Sequence, residues 1–139
     1  MILSIHQPHY FPWAGYFHKI INSDLFIFLD NVQFRKNYYQ NRTQIKDFNG
    51  SASWLTIPVQ KAPLNTPINQ ILISPVFQPQ RIIDTLHGSY GKAPYYKELA
   101  KYIIDAIAEP EVSLSKKNIS SIQLILNLLD IKIPTYVAS

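Results

Sequence analysis

Residues 2–30 read ILSIHQPHYFPWAGYFHKIINSDLFIFLD, and this stretch decides the fold. Short apolar runs at 2–6 and 25–30 are typical of buried strands, and apolar residues follow helical spacing at 14–22. Two prolines keep the connection between the first run and the helix out of helical geometry. Strand, loop, helix and strand within about 30 residues predict a βαβ unit. Its two strands should be parallel, with a right-handed crossover.

The two predicted strands end at polar residues, His6 and Asp30. Neighbouring parallel strands bring their carboxyl ends to the same edge of a sheet, where α/β proteins bind ligands. We therefore expect His6 to act as a general base, with Asp30 orienting its ring and raising its pKa. The alternatives are a His6 that only bonds to backbone and an Asp30 that only caps the next turn.

An antiparallel hairpin is predicted over 41–59, because an Asn-Gly pair separates two alternating patterns there. The chain carries five basic residues from Arg35 to Lys61 and a single acidic residue. We expect Arg42, Lys46 and Lys36 to face the same way and to bind a phosphate or carboxylate. A solvated polar hairpin face is the alternative.

The rest of the chain predicts mostly helices. Helices are expected at 79–90, 94–107 and 113–129, with Ser113 or Ser115 as the N-cap of the last helix. An edge strand is expected at 71–73 and a final strand at 133–137. The predicted fold class is α/β: a small, mostly parallel Rossmann-like sheet with an inserted hairpin and C-terminal helices. We expect residues 1–139 to form a single domain.

Composition narrows the class of partner. The 139 residues carry a formal charge of +4 and 16% charged residues, without the basic tail that would track a nucleic-acid backbone. The absence of cysteine excludes disulfides and thiol nucleophiles. No signal peptide or run of about 20 apolar residues is present, so we expect a cytoplasmic protein without a membrane span. A small anionic molecule is the expected partner.

Further side chains are candidates for contacting that molecule. Aromatic residues with polar tips can line a pocket while their rings stay packed, and short amides offer both donors and acceptors. The predicted substrate-binding residues besides the three cations are Gln7, Tyr10, Tyr16, Gln33 and Asn41. We expect no metal, because His6 and His9 lie in a proline-containing loop without zincin spacing.

Several strings resemble one family. They are HQPHYFPWAGYFHKI at 6–20, SDLFIFLDNVQFRKNYYQNR at 23–42, QIK at 44–46, WLTIPV at 54–59, SYGKAPYY at 89–96 and NISSIQLILNLLDI at 118–131. Together they resemble the WbqC-like proteins of bacterial surface-polysaccharide (O-antigen) gene clusters. The resemblance implies a role in building modified sugars and, for some members, glycine or aminoacyl transfer onto an amino sugar. It also implies a longer protein, of which we expect this chain to be the N-terminal part.

The βαβ plan is also similar to that of ATP-using nucleotidylyltransferases and pantothenate-synthetase-like amide ligases. Those enzymes place two histidines at the start of this helix to hold phosphate. Here that position reads Trp13-Ala14-Gly15-Tyr16, so neither motif histidine is present.

Our first hypothesis is therefore acyl or aminoacyl transfer to the amino group of a nucleotide-linked sugar. The alternatives are a non-catalytic sugar-nucleotide or carrier-binding module, an inactive truncated remnant, and an ATP-using amide ligase or nucleotidylyltransferase-like enzyme. Whether ATP or another activated acyl donor is used stays open.

Overall fold

The computed structural model describes all residues, 1–139. In chain order the elements are β1 (Leu3–His6), α1 (Ala14–Ile21), β2 (Leu25–Phe28), β3 (Arg42–Lys46), β4 (Ala52–Thr56), a 3₁₀ turn (Ile68–Gln70), α2 (Pro79–Tyr90), α3 (Tyr96–Ala108), α4 (Leu114–Leu128) and β5 (Thr135–Val137). A mixed α/β fold with a small parallel sheet, a hairpin and C-terminal helices confirms the predicted class.

The main sheet has three parallel strands in the order β1-β2-β5. β1 and β2 pair in a register that sets His6 opposite Phe28, which confirms the βαβ unit. α1 and α4 pack with the central strand, where Phe26 and Phe28 are fully buried. With eight buried residues, this cluster is the largest of the three in the protein and forms its main hydrophobic core.

The hairpin is a separate two-stranded antiparallel sheet, β3 with β4. Side chains alternate along a strand, so Arg42 and Lys46 share one of its faces. Leu55 of the other face packs with α2 and α3. The turn follows the Asn-Gly prediction, with Gly50 at φ +85°, a backbone angle that favours glycine.

The predicted edge strand at 71–73 is wrong. This segment makes only isolated bridges, Leu72 with Ser113 and Ile73 with Val59. Its backbone bonds go to two different segments: Leu114 N donates to the carbonyl oxygen of Ile71 at 3.0 Å, and Gln60 N donates to that of Leu72 at 2.9 Å. The segment is too briefly paired on either side to form a strand. None of the helices has the length and apolarity needed to cross a membrane.

Candidate functional site

Two imidazoles meet at the carboxyl end of β1. His6 is its last residue, and the loop through Pro8 turns His9 back toward it. The ring centroids lie 4.8 Å apart and the ring planes are at 89°, an edge-to-face contact. His6 is half-buried, whereas His9 is only 2% exposed. We call these two residues the imidazole pair.

The tautomer of His6 follows from its hydrogen bond. Its Nδ1 lies 3.1 Å from the carbonyl oxygen of Gln7, which can only accept, so Nδ1 carries the hydrogen and Nε2 carries the lone pair. Burial lowers the pKa of His6; the bond to Gln7 partly offsets this, and the positive charge of Lys19 lowers it further. The ring is therefore neutral at pH 7, with Nε2 ready to accept a proton.

His9 is a buried ring without hydrogen bonds. Neither of its nitrogens has a partner. Burial, and next the proximity of His6, lower its pKa to about 4. A buried polar group without a hydrogen-bond partner lowers the stability of the folded state. Such groups are concentrated at sites that bind a ligand or carry out a reaction.

The structure corrects the expected role of Asp30. Its carboxylate is buried and accepts hydrogen bonds from Ser115 Oγ at 3.3 Å and from Ser139 Oγ at 2.9 Å and N at 3.1 Å. None of these bonds goes to His6, and the pKa of His6 is lowered rather than raised. Asp30 thus ties the chain after β5 to the start of α4. It lies two positions beyond Phe28, the β2 residue that pairs with His6.

Aromatic side chains extend from the imidazole pair toward the hairpin. Trp13, Tyr38 and Tyr39 each lie 5.8 to 5.9 Å from the His9 ring, and Trp54 of β4 lies 5.6 Å from Tyr39. We call these four residues the aromatic wall. Trp13 is 52% exposed and Trp54 38% exposed, so the wall presents ring surface to solvent. Such surface is suited to stacking against a sugar ring or a base.

Arg42 completes the wall at its hairpin end. Its guanidinium carbon lies 3.9 Å from the centroid of the Trp54 ring, a cation–π contact. Its Nε is buried and has no hydrogen-bond partner, and no acidic group lies within ion-pair distance of it. Arg42 is thus a cation without an acidic partner, next to exposed aromatic surface; its contact with an anion stays a prediction.

Three residues predicted to bind substrate are instead buried. Tyr10 packs in a second apolar cluster with Ile57 and Leu114. Tyr16 donates its hydroxyl hydrogen to the carbonyl oxygen of Gln7 at 3.0 Å, and burial raises the pKa of both tyrosines. Asn41 donates to the carbonyl oxygen of Ile57 at 3.1 Å. Tyr16 and Asn41 hold the loops in place through these bonds, whereas the Tyr10 ring is drawn into the core and its hydroxyl has no hydrogen-bond partner.

The remaining predicted contacts are dispersed. Gln7 accepts a hydrogen bond from Gln40 at 2.7 Å, and Gln33 donates to the carbonyl oxygen of Leu64 at 2.7 Å. Lys46 is exposed on the same hairpin face as Arg42. Lys36 lines a different cavity, so the structure does not bring all three predicted cations together.

Two buried amides, which sequence reasoning missed, join the loops of the site. Asn118 of α4 donates to the carbonyl oxygens of Pro8 at 2.9 Å and Gln40 at 2.7 Å. The Gln40 side chain in turn accepts from the backbone N–H of Arg35 and donates to Gln7. One sequence signal was available: Asn118 lies at four-residue spacing between the buried Leu114 and Ile122.

Phe11 connects the histidine loop to the hairpin with a strained backbone. Its φ is +41°, in the left-handed region that a bulky residue rarely adopts. Thr43 of β3 donates to its carbonyl oxygen at 2.9 Å, and Ser121 of α4 accepts from its N–H at 3.3 Å. Strain of this kind persists only where the surroundings enforce it, as they do at many binding sites.

The start of α1 differs from a phosphate-binding helix terminus. Trp13 is its N-cap residue, and its indole folds back over the first turn. A methyl group at Gly15 would lie 2.5 Å from the indole Nε1, so a larger residue there would push the indole away from this position. No group of three or more His, Cys, Asp or Glu side chains is arranged to hold a metal ion.

Comparison with known proteins gives the family. The model of the WbqC-like protein family matches residues 7–139. The chain is 32% identical over 110 residues to "Uncharacterized protein Rv1507c" of Mycobacterium tuberculosis (strain ATCC 25618 / H37Rv), a match covering 78% of this chain and 47% of that protein. The chain thus spans about half the length of this curated relative. No solved structure matches the chain. Since the family match covers nearly the whole chain, the protein belongs to the WbqC-like protein family.

Proposed function

We propose that the protein transfers an acyl or aminoacyl group, such as glycyl, to the amino group of a nucleotide-linked sugar. We place this reaction in the cytoplasm, in the biosynthesis of a bacterial surface polysaccharide. The observation that carries the proposal is the state of His6: a neutral imidazole at a parallel strand end, with Nε2 free to accept a proton.

In this reaction the sugar amine attacks the acyl carbonyl carbon, and His6 Nε2 takes the proton that the amine loses. The new carbon–nitrogen bond replaces the bond between that carbon and the leaving group of the activated acyl donor. The leaving group departs with the electron pair and regains a proton. A neutral base of this kind contributes about 10²–10⁴-fold to a proton-transfer step.

The aromatic wall and Arg42 supply the binding part of the proposal. A sugar ring or base has faces that stack on exposed indole, and Trp13 and Trp54 offer such surface. A phosphate of the substrate meets Arg42, whose guanidinium carbon lies 3.9 Å from the centroid of the Trp54 ring. Lys46, on the same hairpin face, adds positive charge.

The test is turnover of the His6→Ala variant against a panel of nucleotide-linked amino sugars and activated acyl donors, with the amide product detected by mass spectrometry. We expect kcat to fall by at least about 100-fold, with KM little changed. His18→Ala is the control, because His18 is exposed on α1 and lies outside the imidazole pair. Unchanged turnover in the His6 variant would refute the proposal.

The pH profile of kcat/KM gives a second readout for His6. The active form is the neutral ring, so activity should hold at pH 7 and fall as the pH drops through the lowered pKa, below 6.5. Lys19 is one cause of that lowering, so Lys19→Met should move the acid limb to higher pH. An acid limb that does not move in this variant would argue against His6 as the titrating base.

A non-catalytic sugar-nucleotide-binding module is the second candidate function. The exposed faces of the aromatic wall beside Arg42 favour it, since they suffice for binding without any proton transfer. Binding of a nucleotide sugar that is lost in Arg42→Ala, with no product formed by the wild-type protein, would select this alternative. The ATP-using alternative has less support, because the Trp13 indole covers the first turn of α1.

A further inference from the structure

A second cavity, of about 370 Å³, lies between residues 34–36 and 59–64. Its walls combine apolar and cationic side chains. The apolar part includes Phe34, Val59, Pro63 and Leu64, and the positive charge comes from Lys36 and Lys61. The volume is in the range of small-molecule sites.

Hydrogen bonds fix both sides of this cavity. At one end Gln60 N donates to the carbonyl oxygen of Leu72 at 2.9 Å. At the other end Gln33 Nε2 donates to the carbonyl oxygen of Leu64 at 2.7 Å, and Phe34 N donates to that of Thr66 at 2.9 Å. The wall at 59–64 is therefore held in place although it forms no helix or strand.

The charge around the cavity has one sign. Asp47 is the only acidic residue between Asn31 and Ile83, and its carboxylate accepts from two backbone N–H groups of the hairpin turn. The two ion pairs of the protein lie elsewhere, so neither Lys36 nor Lys61 has an acidic partner. Two unpaired ammonium groups on one concave surface repel each other and attract an anion.

We propose that this cavity is a second ligand site, which binds the phosphoryl group of a small soluble molecule. Lys36 and Lys61 neutralise the phosphate charge, and the apolar wall of Phe34, Val59 and Leu64 contacts the remainder of the molecule. Lysine is a common phosphate ligand, since its ammonium acts as a compact point charge with three donors. The proposal stands apart from the imidazole pair, and its failure leaves the proposed reaction untouched.

The test uses inorganic pyrophosphate as the probe, in calorimetry and in amide NMR titrations of the whole chain. We expect one group of amide shifts at 34–36 and 59–64; shifts near Arg42 would report the phosphate contact of the proposed function separately. Lys36→Ala and Lys61→Ala should each raise Kd by about tenfold, the loss of one charge-assisted hydrogen bond. Binding should weaken with added salt.

Controls separate this cavity from other positive charges. Lys101→Ala removes an exposed lysine of α3 outside the cavity, and Arg42→Ala removes the cation of the aromatic wall; both should leave the shifts at 59–64 unchanged. The proposal is overturned if pyrophosphate does not bind, or if Arg42→Ala abolishes binding while both cavity lysine variants retain it. Sedimentation with phosphatidic-acid vesicles, without pyrophosphate binding, would instead assign the surface to lipid headgroups and overturn it too.

Discussion

At the scale of single residues, His9 carries a titratable ring into a buried, aromatic environment. Its neighbours His6, Trp13, Tyr16, Tyr38 and Tyr39 surround it with aromatic rings. An imidazolium in that position would lose its hydration without gaining a carboxylate partner. The neutral ring is therefore the form that the folded protein accommodates, which makes the stability of the fold sensitive to acid.

We predict that His9 destabilises the protein as the pH falls. Its pKa is about 4 in the folded state and 6.5 as a model value, so the unfolded chain binds more protons between these limits. The stability that depends on neutral His9 is complete above pH 6.5 and is lost as the pH falls toward 4. Relative to His9→Phe, the wild type should lose about 3 kcal/mol over this window.

Urea unfolding at a series of pH values measures this difference. The difference between wild type and His9→Phe isolates the histidine from the carboxylates, which titrate in both proteins. The same replacement at the exposed His18 serves as the control and should keep the wild-type pH dependence. Parallel pH curves for wild type and His9→Phe would contradict the prediction.

At the scale of elements, α4 organises the loops around it through buried polar groups. Lys117 is 3% exposed, and its Nζ donates to the carbonyl oxygens of Ile107 at 3.0 Å and Glu109 at 2.6 Å, at the end of α3. A cation there complements the helix dipole and satisfies carbonyls that the helix itself leaves unpaired. The next residue, Asn118, does the same for the two loops of the candidate site.

We predict that Asn118→Leu loosens the candidate site. The change keeps the branched shape and the number of heavy side-chain atoms but leaves the carbonyl oxygens of Pro8 and Gln40 without this donor. It should lower the free energy of unfolding by about 2–6 kcal/mol, since two carbonyl oxygens lose this donor and each unsatisfied buried group costs about 1–3 kcal/mol. The imidazole NMR signals of His6 and His9 should move, because the loop that carries them loses its tie to α4.

The matched control is Gln123→Leu, an exposed position of the same helix. It should change the free energy of unfolding by less than about 0.5 kcal/mol and leave the imidazole signals in place. Equal effects of the two substitutions would show that the two hydrogen bonds of Asn118 do not hold the loops.

At the scale of the whole molecule, α4 and Phe11 connect the three apolar clusters. Ile119 and Ile122 of α4 belong to the cluster of the parallel sheet, whereas Leu114 of the same helix belongs to the second cluster. Phe11 packs against both the second cluster and the third, which lies under the hairpin. We propose on this basis that the residues unfold as one cooperative unit.

A phenylalanine pair tests this unit. Phe28→Ala empties a fully buried position in the central strand, and large-to-small changes of this kind cost about 3–5 kcal/mol. Phe48 lies at the hairpin tip and is 78% exposed, so Phe48→Ala should stay within about 0.5 kcal/mol. For Phe28→Ala, near-UV circular dichroism and far-UV circular dichroism should report one shared, lowered Tm; separate transitions would contradict a single unit.

Features that depend on nearby residues were predictable from the sequence. α2 spans the predicted 79–90, because Pro79 suits the first turn of a helix and Gly91 follows its end. Ser113 caps α4 by accepting from the N–H of Lys116, one of the two serines expected to do so. The parallel β1–β2 pair followed from strand, helix and strand in sequence, since a crossover helix allows little else.

The same distinction between local and long-range features applies to the candidate site. Placing His6 at a strand end, and predicting a hairpin that carries Arg42 and Lys46, needed only periodicity and turn chemistry. The hydrogen-bond partners of Asp30 could not be predicted in this way. They are Ser115 and Ser139, which are 85 and 109 residues away in the chain. Likewise, the burial of His9 and the position of Trp13 and Trp54 in one aromatic wall depend on contacts between segments that are far apart in the chain. Local sequence sets backbone conformation, whereas burial and pairing depend on which distant side chains meet in the packed core, and only the tertiary structure decides that.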